Sequence, residues 1–463
     1  MWIENDTVHL HRDEARELPP GTARLQERLT DPLPRIGIAQ LLLEVNHWIG
    51  MDEHLTNLYA QEKLVKNLTA KKIAVLMAEG LNIGLQNMSY CVSNMTYADL
   101  AGVKDRYFRE DTLRRAIAAV VNFYVKNFPI IYNWGDGTRS SSDGQTFGVP
   151  VKTIYSQYHP ESPSKSGRAL AAYTHISDFV MPFYTQVIHH LSQEGAQVLD
   201  GLLHHETDLT PYHHFVDTGG YQDTLWGACH LLGFSLEPRI RDISDMRLFR
   251  MRRSVDEYQH IRALFTDAIN SRAVRENWDN VLRLMASIKF GVMPAALAMR
   301  KLDAYHIESG LYKALREVGR IGKTGFLLRY FTIKEARRQV QVGLNKQESV
   351  HALVRKLVVG QSGEFRVRDL EGQLNRATCI HLVTAMVITW NAAYLTAAVE
   401  KLRAEGVEVK PEQLARIWPV MSEHINRLGR YELNPDAPKV QTQLSALRLR
   451  TDDEIAEQLG LGL

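Results

Sequence analysis

Near Trp134 the chain changes texture, and this change limits its fold more than any other feature of the sequence. Upstream, Ile38, Leu41, Leu42, Val45, Trp48 and Ile49 recur at helical spacing, as do the apolar residues over 70–85 and 111–127. The first 128 residues therefore read as all-helical. From Gly135-Asp-Gly137 and Ser140-Ser-Ser-Asp-Gly144 onward, turn-rich sequence gives way to short β-prone runs. Their spacing predicts strands at about 141–148, 151–158 and 168–176, a helix over 180–203 and a short strand at 213–217. A helix at 222–233 and a strand near 236–241 follow. Hairpin-linked strands followed by alternating helix and strand imply a mixed α/β sheet.

From about 243 to 340 the pattern is again helical and basic. A long helix is expected from Ile333 to Val359, a buried one over 374–399 and another near 411–428, before a polar tail. Residues 1–30, polar and leading to Asp31-Pro-Leu-Pro34, read as a loose lead-in. A chain of 463 residues is too long for one core, and 45% hydrophobic with 23% charged residues excludes disorder. A net charge of +2 argues neither for nor against a polyanionic partner; what matters is where the positive charge sits.

Three distant cysteines, Cys91, Cys229 and Cys379, offer neither a disulfide framework nor a zinc ribbon. The opening Met1-Trp-Ile-Glu-Asn-Asp6 lacks the basic and apolar regions of a secretory signal, so the cytoplasm is expected. The glycosylation patterns at Asn67, Asn87 and Asn94 then read as chance matches. The most apolar run, Ile380 to Val399, is interrupted by His381, Thr384, Thr389, Trp390 and Asn391. It reads as a helix buried in protein, and no membrane partner is expected.

Three acids stand where an α/β nuclease would place them. Asp143 falls in the first strand beside Gly144, whose missing side chain would let a phosphate or metal approach the backbone. Asp217 ends the short strand Phe215-Val-Asp217, at the kind of strand edge where ligand sites gather. Glu348 lies on the long helix, bordering its apolar stripe. Three converging carboxylates repel one another and need cations to stay ionised. Hard oxygen ligands select magnesium or manganese over zinc, and two such ions can serve both the attacking and the leaving oxygen of a phosphodiester. An Asp beside a Gly is also an ordinary turn residue, so spacing alone leaves the triad open.

The string Trp134-Gly-Asp-Gly-Thr-Arg-Ser-Ser-Ser-Asp-Gly-Gln-Thr-Phe147 resembles the first catalytic motif of the Tn-three family of replicative transposases. So do Tyr173-Thr-His-Ile-Ser-Asp178, Leu199-Asp-Gly-Leu-Leu-His-His-Glu206, Val216-Asp-Thr-Gly-Gly-Tyr221 and Pro238-Arg-Ile-Arg-Asp242. Leu344-Asn-Lys-Gln-Glu-Ser349, Leu374-Asn-Arg376 and Trp390-Asn391 continue the series in order, from about residue 30 to 434. The resemblance implies an α/β RNase H-like catalytic core with a helical insertion, flanked by mainly α-helical regions. It implies a lead-in at 1–30, a helical scaffold at 31–128, the first part of the core at 129–242 and the insertion at 243–340. The core's C-terminal helices would occupy 341–434 and a tail 435–463.

The resemblance places the catalytic and metal-binding acids on Asp143 (rather than Asp136), Asp217 and Glu348, with two Mg²⁺ ions that Mn²⁺ may replace. It implies cleavage of double-stranded DNA at transposon ends and transfer of the 3′ hydroxyl to target DNA, giving a cointegrate. The setting would be the bacterial cytoplasm, in association with the nucleoid. Family members are longer, with extra N-terminal domains that bind the terminal inverted repeats. Three readings follow: a catalytic region acting as a homodimer, a non-autonomous fragment that pairs with or inhibits full-length transposase, and a metal-dependent nuclease or resolvase that cleaves without joining.

Pro238 to Arg253 sets six arginines against two aspartates, and Arg239, Arg241, Arg250 and Arg253 are candidate DNA contacts. Lys346 and Arg355, flanking Glu348, are two more. A second basic run holds Arg316, Arg320, Lys323, Arg329, Lys334, Arg337 and Arg338; either run could equally be a solvated helix face. Gly319-Arg-Ile-Gly-Lys-Thr324 resembles a phosphate loop, but position 317 is Glu and no strand precedes it. The pairs His189-His190, His204-His205 and His213-His214 lack metal-ligand spacing; His204, His205 and Glu206 are expected to shape the site near Asp217.

Overall fold

The computed structural model describes residues 2–4, 7–11, 17–59, 65–160, 162–188, 195–217, 222–251, 261–262, 264–304 and 309–458. Its largest sheet forms where the texture changes. Arg139–Gly148 is the central strand. It pairs antiparallel with Arg168–Ser177, with Asp143 opposite Thr174. On its other side it pairs parallel with His213–Val216, with Ser142 opposite Val216, and Ser235–Pro238 adds a further parallel strand. Pro182–Ile188 and Gln157–Tyr158 both pair antiparallel with Arg168–Ser177. The expected mixed α/β sheet is therefore present.

Several elements depart from expectation. The 151–158 run is a strand only at Gln157–Tyr158, because Thr153 and Ser156 exchange side-chain bonds with each other's backbone N–H (2.7 and 3.2 Å) and turn the chain. The helix expected over 180–203 divides into the strand Pro182–Ile188 and the helix Gly195–Leu203. A tight turn, with the Ser177 N–H donating to the Met181 carbonyl, folds Pro182–Ile188 back onto its neighbour. A short apolar run suits strand and helix equally, and pairing decided between them. The helix expected near 411–428 is confined to Pro411–Leu414; Ile425–Asn426 instead pairs with Ile36–Gly37. The lead-in is partly built, with strands at Trp2–Glu4 and Thr7–His9 and a helix at Thr22–Thr30.

Leu370–Ala404 is apolar on every face and is buried on nearly all of them. By length and composition it is the one described helix that could cross a membrane, yet it lies inside the protein. Asp369 caps its start by accepting from the Gly372 N–H, and Gly406, at φ 78°, follows its end. Several of its interior polar groups are partnered. Arg376 pairs with Glu79 at 2.9 Å, Trp390 donates to Glu44, and Asn391 donates to the carbonyls of Pro419 and Met421.

The helices of the first 128 residues share one hydrophobic core with this helix. The helices Ser271–Lys289, Ala295–Ala304 and Gly310–Thr332 share a second core with the strands and helices between Gly195 and Pro238. Gly319 explains part of that packing, since a Cβ there would lie 1.6 Å from the Asp223 carbonyl oxygen. The phosphate-loop look-alike is thus the middle of a helix, glycine-bearing because Asp223–Leu232 crosses it closely. The second basic run is largely consumed in the same packing. Arg320 and Lys323 pair with Asp223, Arg316 and Arg320 with buried Glu317, and Arg329 with buried Glu237. Those four side chains are engaged with acids, so a free positive face there is not what the structure shows.

Candidate active site

Side chains alternate along a strand, and on Arg139–Gly148 the alternation separates two environments. Ser140 and Ser142 point to one face, where their hydroxyls bond His214 Nδ1 and Nε2 at 2.8 and 2.7 Å. Ser141, Asp143 and Gln145 point to the other, toward the helix Lys334–Leu357. In the parallel neighbour Phe215 and Asp217 share that second face, and the Ser142–Val216 register sets Asp217 level with Asp143. The strand ends at Val216, so Asp217 lies one residue beyond it.

Gly343 lets the long helix descend onto Phe215, since a Cβ there would be 2.3 Å from Phe215 Cδ2. Gly343, Gln347 and His351, spaced by four, are buried along its inner side. Glu348, one residue past Gln347, stands at the rim and is 64% exposed. The Gly144 N–H donates to Asp143 Oδ1 at 2.8 Å. Burial, with the negative charges of Asp217 and Glu348, nonetheless pushes the Asp143 carboxyl up to about 6. The three predicted acids are therefore brought to one face and feel one another.

Two arginines balance the outer acids. Arg239 Nη2 lies 2.7 Å from Asp217 Oδ1, and Arg355 Nη2 lies 2.6 Å from Glu348 Oε1. Among the described residues, no group of three His, Cys, Asp or Glu side chains is gathered tightly enough to hold a metal ion. The donor set still suits one. It is all carboxylate oxygen, and its central member is held above the ordinary carboxylate range by burial first and then by the charges of Asp217 and Glu348, a setting that a hard divalent cation would relieve.

The other predicted contacts are placed differently from one another. Arg241 is exposed, Arg250 is half-buried in the short strand Leu248–Arg250, and Arg253 lies outside the described residues. Lys346 is corrected: it is buried, with Nζ donating to the carbonyls of Trp134 and Asp178 at 2.5 and 2.8 Å. Its charge serves the fold beneath the site and does not face a nucleic-acid backbone. Asp136 sits in the turn before the central strand, where it engages Thr138 and Arg139. His204, His205 and Glu206 lie between the helix Gly195–Leu203 and the strand His213–Val216. His205 packs edge-on to Phe183, while His189-His190 lie outside the described residues.

Sequence reasoning missed His351. Its Nδ1 lies 3.8 Å from Asp143 Oδ2 and 4.0 Å from Glu348 Oε2. Burial first, then the charges of His381 and Arg355, hold its imidazole down to about 3 and therefore neutral. The signal was available: a histidine three residues after an acid on a helix shares its face.

The family model described as the Tn3 transposase DDE domain matches residues 40–431. Curated relatives agree. The transposase for transposon Tn1546 of Enterococcus faecium is 38% identical over 447 residues, which is 96% of this chain and 45% of the relative. The transposase for transposon Tn21 of Escherichia coli is 39% identical over 415 residues, 89% of this chain and 41% of the relative. The transposase for transposon gamma-delta of Escherichia coli (strain K12) is 33% identical over 444 residues, 96% of this chain and 44% of the relative. The chain thus spans less than half the length of each of these relatives. By the match over most of its length, the chain belongs to the family of the Tn3 transposase DDE domain.

Proposed function

We propose that this chain is the catalytic region of a DNA transposase, cutting at transposon ends and joining the resulting 3′ hydroxyl to target DNA in replicative, cointegrate-forming transposition. The observation that carries the reading is the arrival of Asp143, Asp217 and Glu348 on one sheet face, in a chain of the DDE family. The catalytic core is read as RNase H-like, spanning 129–242 and 341–434, with 243–340 as its helical insertion.

Asp143 and Asp217 would present carboxylates from adjacent strands, and Glu348 from the helix above them. Together they would hold two Mg²⁺ ions, with Mn²⁺ able to substitute. When bound, such ions activate an attacking oxygen and stabilise the leaving oxygen of a phosphodiester. Arg239 and Arg355, now paired with Asp217 and Glu348, would turn to DNA phosphates once cations neutralise those acids. Arg241, exposed close to Arg239 in the chain, would add a third phosphate contact. The partner is double-stranded DNA, bound by a homodimer or in company with a longer transposase.

The test is metal-dependent nicking and strand transfer on DNA carrying transposon ends. Asp143→Ala and Glu348→Ala should each abolish both steps while leaving circular dichroism unchanged. Full strand transfer by either variant would overturn the assignment. Cleavage without joining by the unaltered chain would favour a nuclease instead.

A further inference from the structure

Gln347 decides which nitrogen of His351 carries the ring proton. The Thr174 carbonyl can only accept a hydrogen bond, so the Gln347 atom 3.2 Å from it is the amide nitrogen. That same nitrogen lies 3.1 Å from His351 Nε2. An amide N–H donates and cannot accept, so His351 Nε2 is the acceptor and the proton resides on Nδ1. Nδ1 is the nitrogen that faces Asp143 and Glu348. The Ser141 hydroxyl completes the chain by donating to Gln347 Oε1 at 2.9 Å.

Two periodicities build this arrangement. Ser141 and Asp143 alternate onto one face of the strand, while Gln347 and His351 are one turn apart on the helix. The residue is held through its backbone as well as through its ring. Gln145 Nε2 donates to the His351 carbonyl at 3.2 Å, and the side chain is 3% exposed. Its Nε2 lone pair is directed at Gln347 and its Nδ1 is protonated, so neither nitrogen is set to ligate a metal.

We propose that His351 is a positioning residue: its fixed Nδ1–H orients the Asp143 carboxylate for metal binding, with Glu348 as the alternative acceptor. The inference rests on the metal-site reading above. At 3.8 and 4.0 Å the nitrogen is about 1 Å beyond hydrogen-bond distance, a gap that closes when the acids are drawn together around cations. Metal-ligating groups are commonly held by such outer partners, whose loss costs about 10–100-fold in metal affinity.

The experiment is calorimetric titration of the full chain with Mn²⁺ alone, without DNA, for the unaltered protein and four variants. His351→Leu should weaken Mn²⁺ binding by about 10–100-fold. His351→Asn, whose amide N–H can occupy the place of Nδ1, should recover most of that loss. Gln347→Met leaves His351 present but its proton unfixed, and should weaken binding by less than His351→Leu does. Asp143→Asn separates the two layers of the argument. If Asp143→Asn binds Mn²⁺ like the unaltered chain, the metal-site reading fails and the role of His351 fails with it. If Asp143→Asn abolishes binding while folded His351→Leu binds normally, only the role of His351 falls. Should His351→Leu not fold, the other two variants decide: unchanged affinity in Gln347→Met, or a loss in His351→Asn larger than in Gln347→Met, overturns the proposal.

Discussion

Gly343 and Phe215 meet where the Glu348 helix crosses the sheet, and only a hydrogen atom fits between them: a Cβ on Gly343 would lie 2.3 Å from Phe215 Cδ2. This contact sets the height of the helix above the strands. It therefore sets how far Glu348 stands from Asp143 and Asp217. The close approach also lets Gln347 reach both Ser141 and the Thr174 carbonyl.

Gly343→Ala should accordingly act at two levels. Overpacking at this contact should cost about 1–3 kcal/mol in urea unfolding. Lifting the helix should also weaken Mn²⁺ binding, although no ligand is changed. Unaltered stability together with unaltered Mn²⁺ affinity would show that the helix height is not set here.

Asp143 gives the metal-free chain a characteristic pH response. Its folded carboxyl is held near 6, above the ordinary carboxylate value, so the folded state binds more protons than the unfolded state between about 4 and 6. Its contribution to stability is present at the acidic end of that window and is lost as pH rises through 6. Metal-free Asp143→Asn should therefore melt higher than the unaltered chain at pH 8, with the difference fading toward pH 4. Added Mg²⁺ should raise the melting temperature of the unaltered chain only.

Lys346 should behave in the opposite sense. Burial lowers its amine to about 8 against the pull of Asp178, so the unfolded state binds more protons above that pH. Stability from this group rises between about 8 and its ordinary value. Lys346→Met removes that gain and leaves the Trp134 and Asp178 carbonyls without their donor, at about 1–3 kcal/mol. Thermal melts should show a stability gap that is wider at pH 9.5 than at pH 7.5. A gap that narrows would contradict the buried amine.

Gly319→Ala probes the look-alike phosphate loop. Its Cβ would meet backbone at Asp223, which cannot swing aside as a side chain can. The cost should reach or exceed the upper end of the range of about 1–3 kcal/mol. ATP should stabilise neither the variant nor the unaltered chain; a rise in melting temperature with ATP would reopen nucleotide binding.

How legible the chain was depends on the range of the forces involved. Turn chemistry and periodicity are local, so the strands at Arg139–Gly148, Arg168–Ser177 and His213–Val216 and the long helices were readable. Pro182–Ile188 was not, because a short, mostly apolar run has no preferred period until a neighbouring strand offers its hydrogen bonds. Asp143, Asp217 and Glu348 were singled out by residue type and by ordered motifs, while spacing alone could not separate them from ordinary turn acids. The misplaced expectations concern long-range contacts: Lys346 was read as a surface cation, but carbonyls 212 and 168 positions away bury it.

By itself, then, the sequence determined the mixed α/β character of the middle of the chain, the helices on either side of it and the identity of three candidate acids. Only the tertiary structure decided how those acids meet. The parallel register that levels Asp143 with Asp217, the Gly343–Phe215 approach that lowers Glu348, and the Ser141–Gln347–His351 chain each join residues far apart in sequence. No local propensity encodes such pairings, because they exist only once the helix has docked on the sheet.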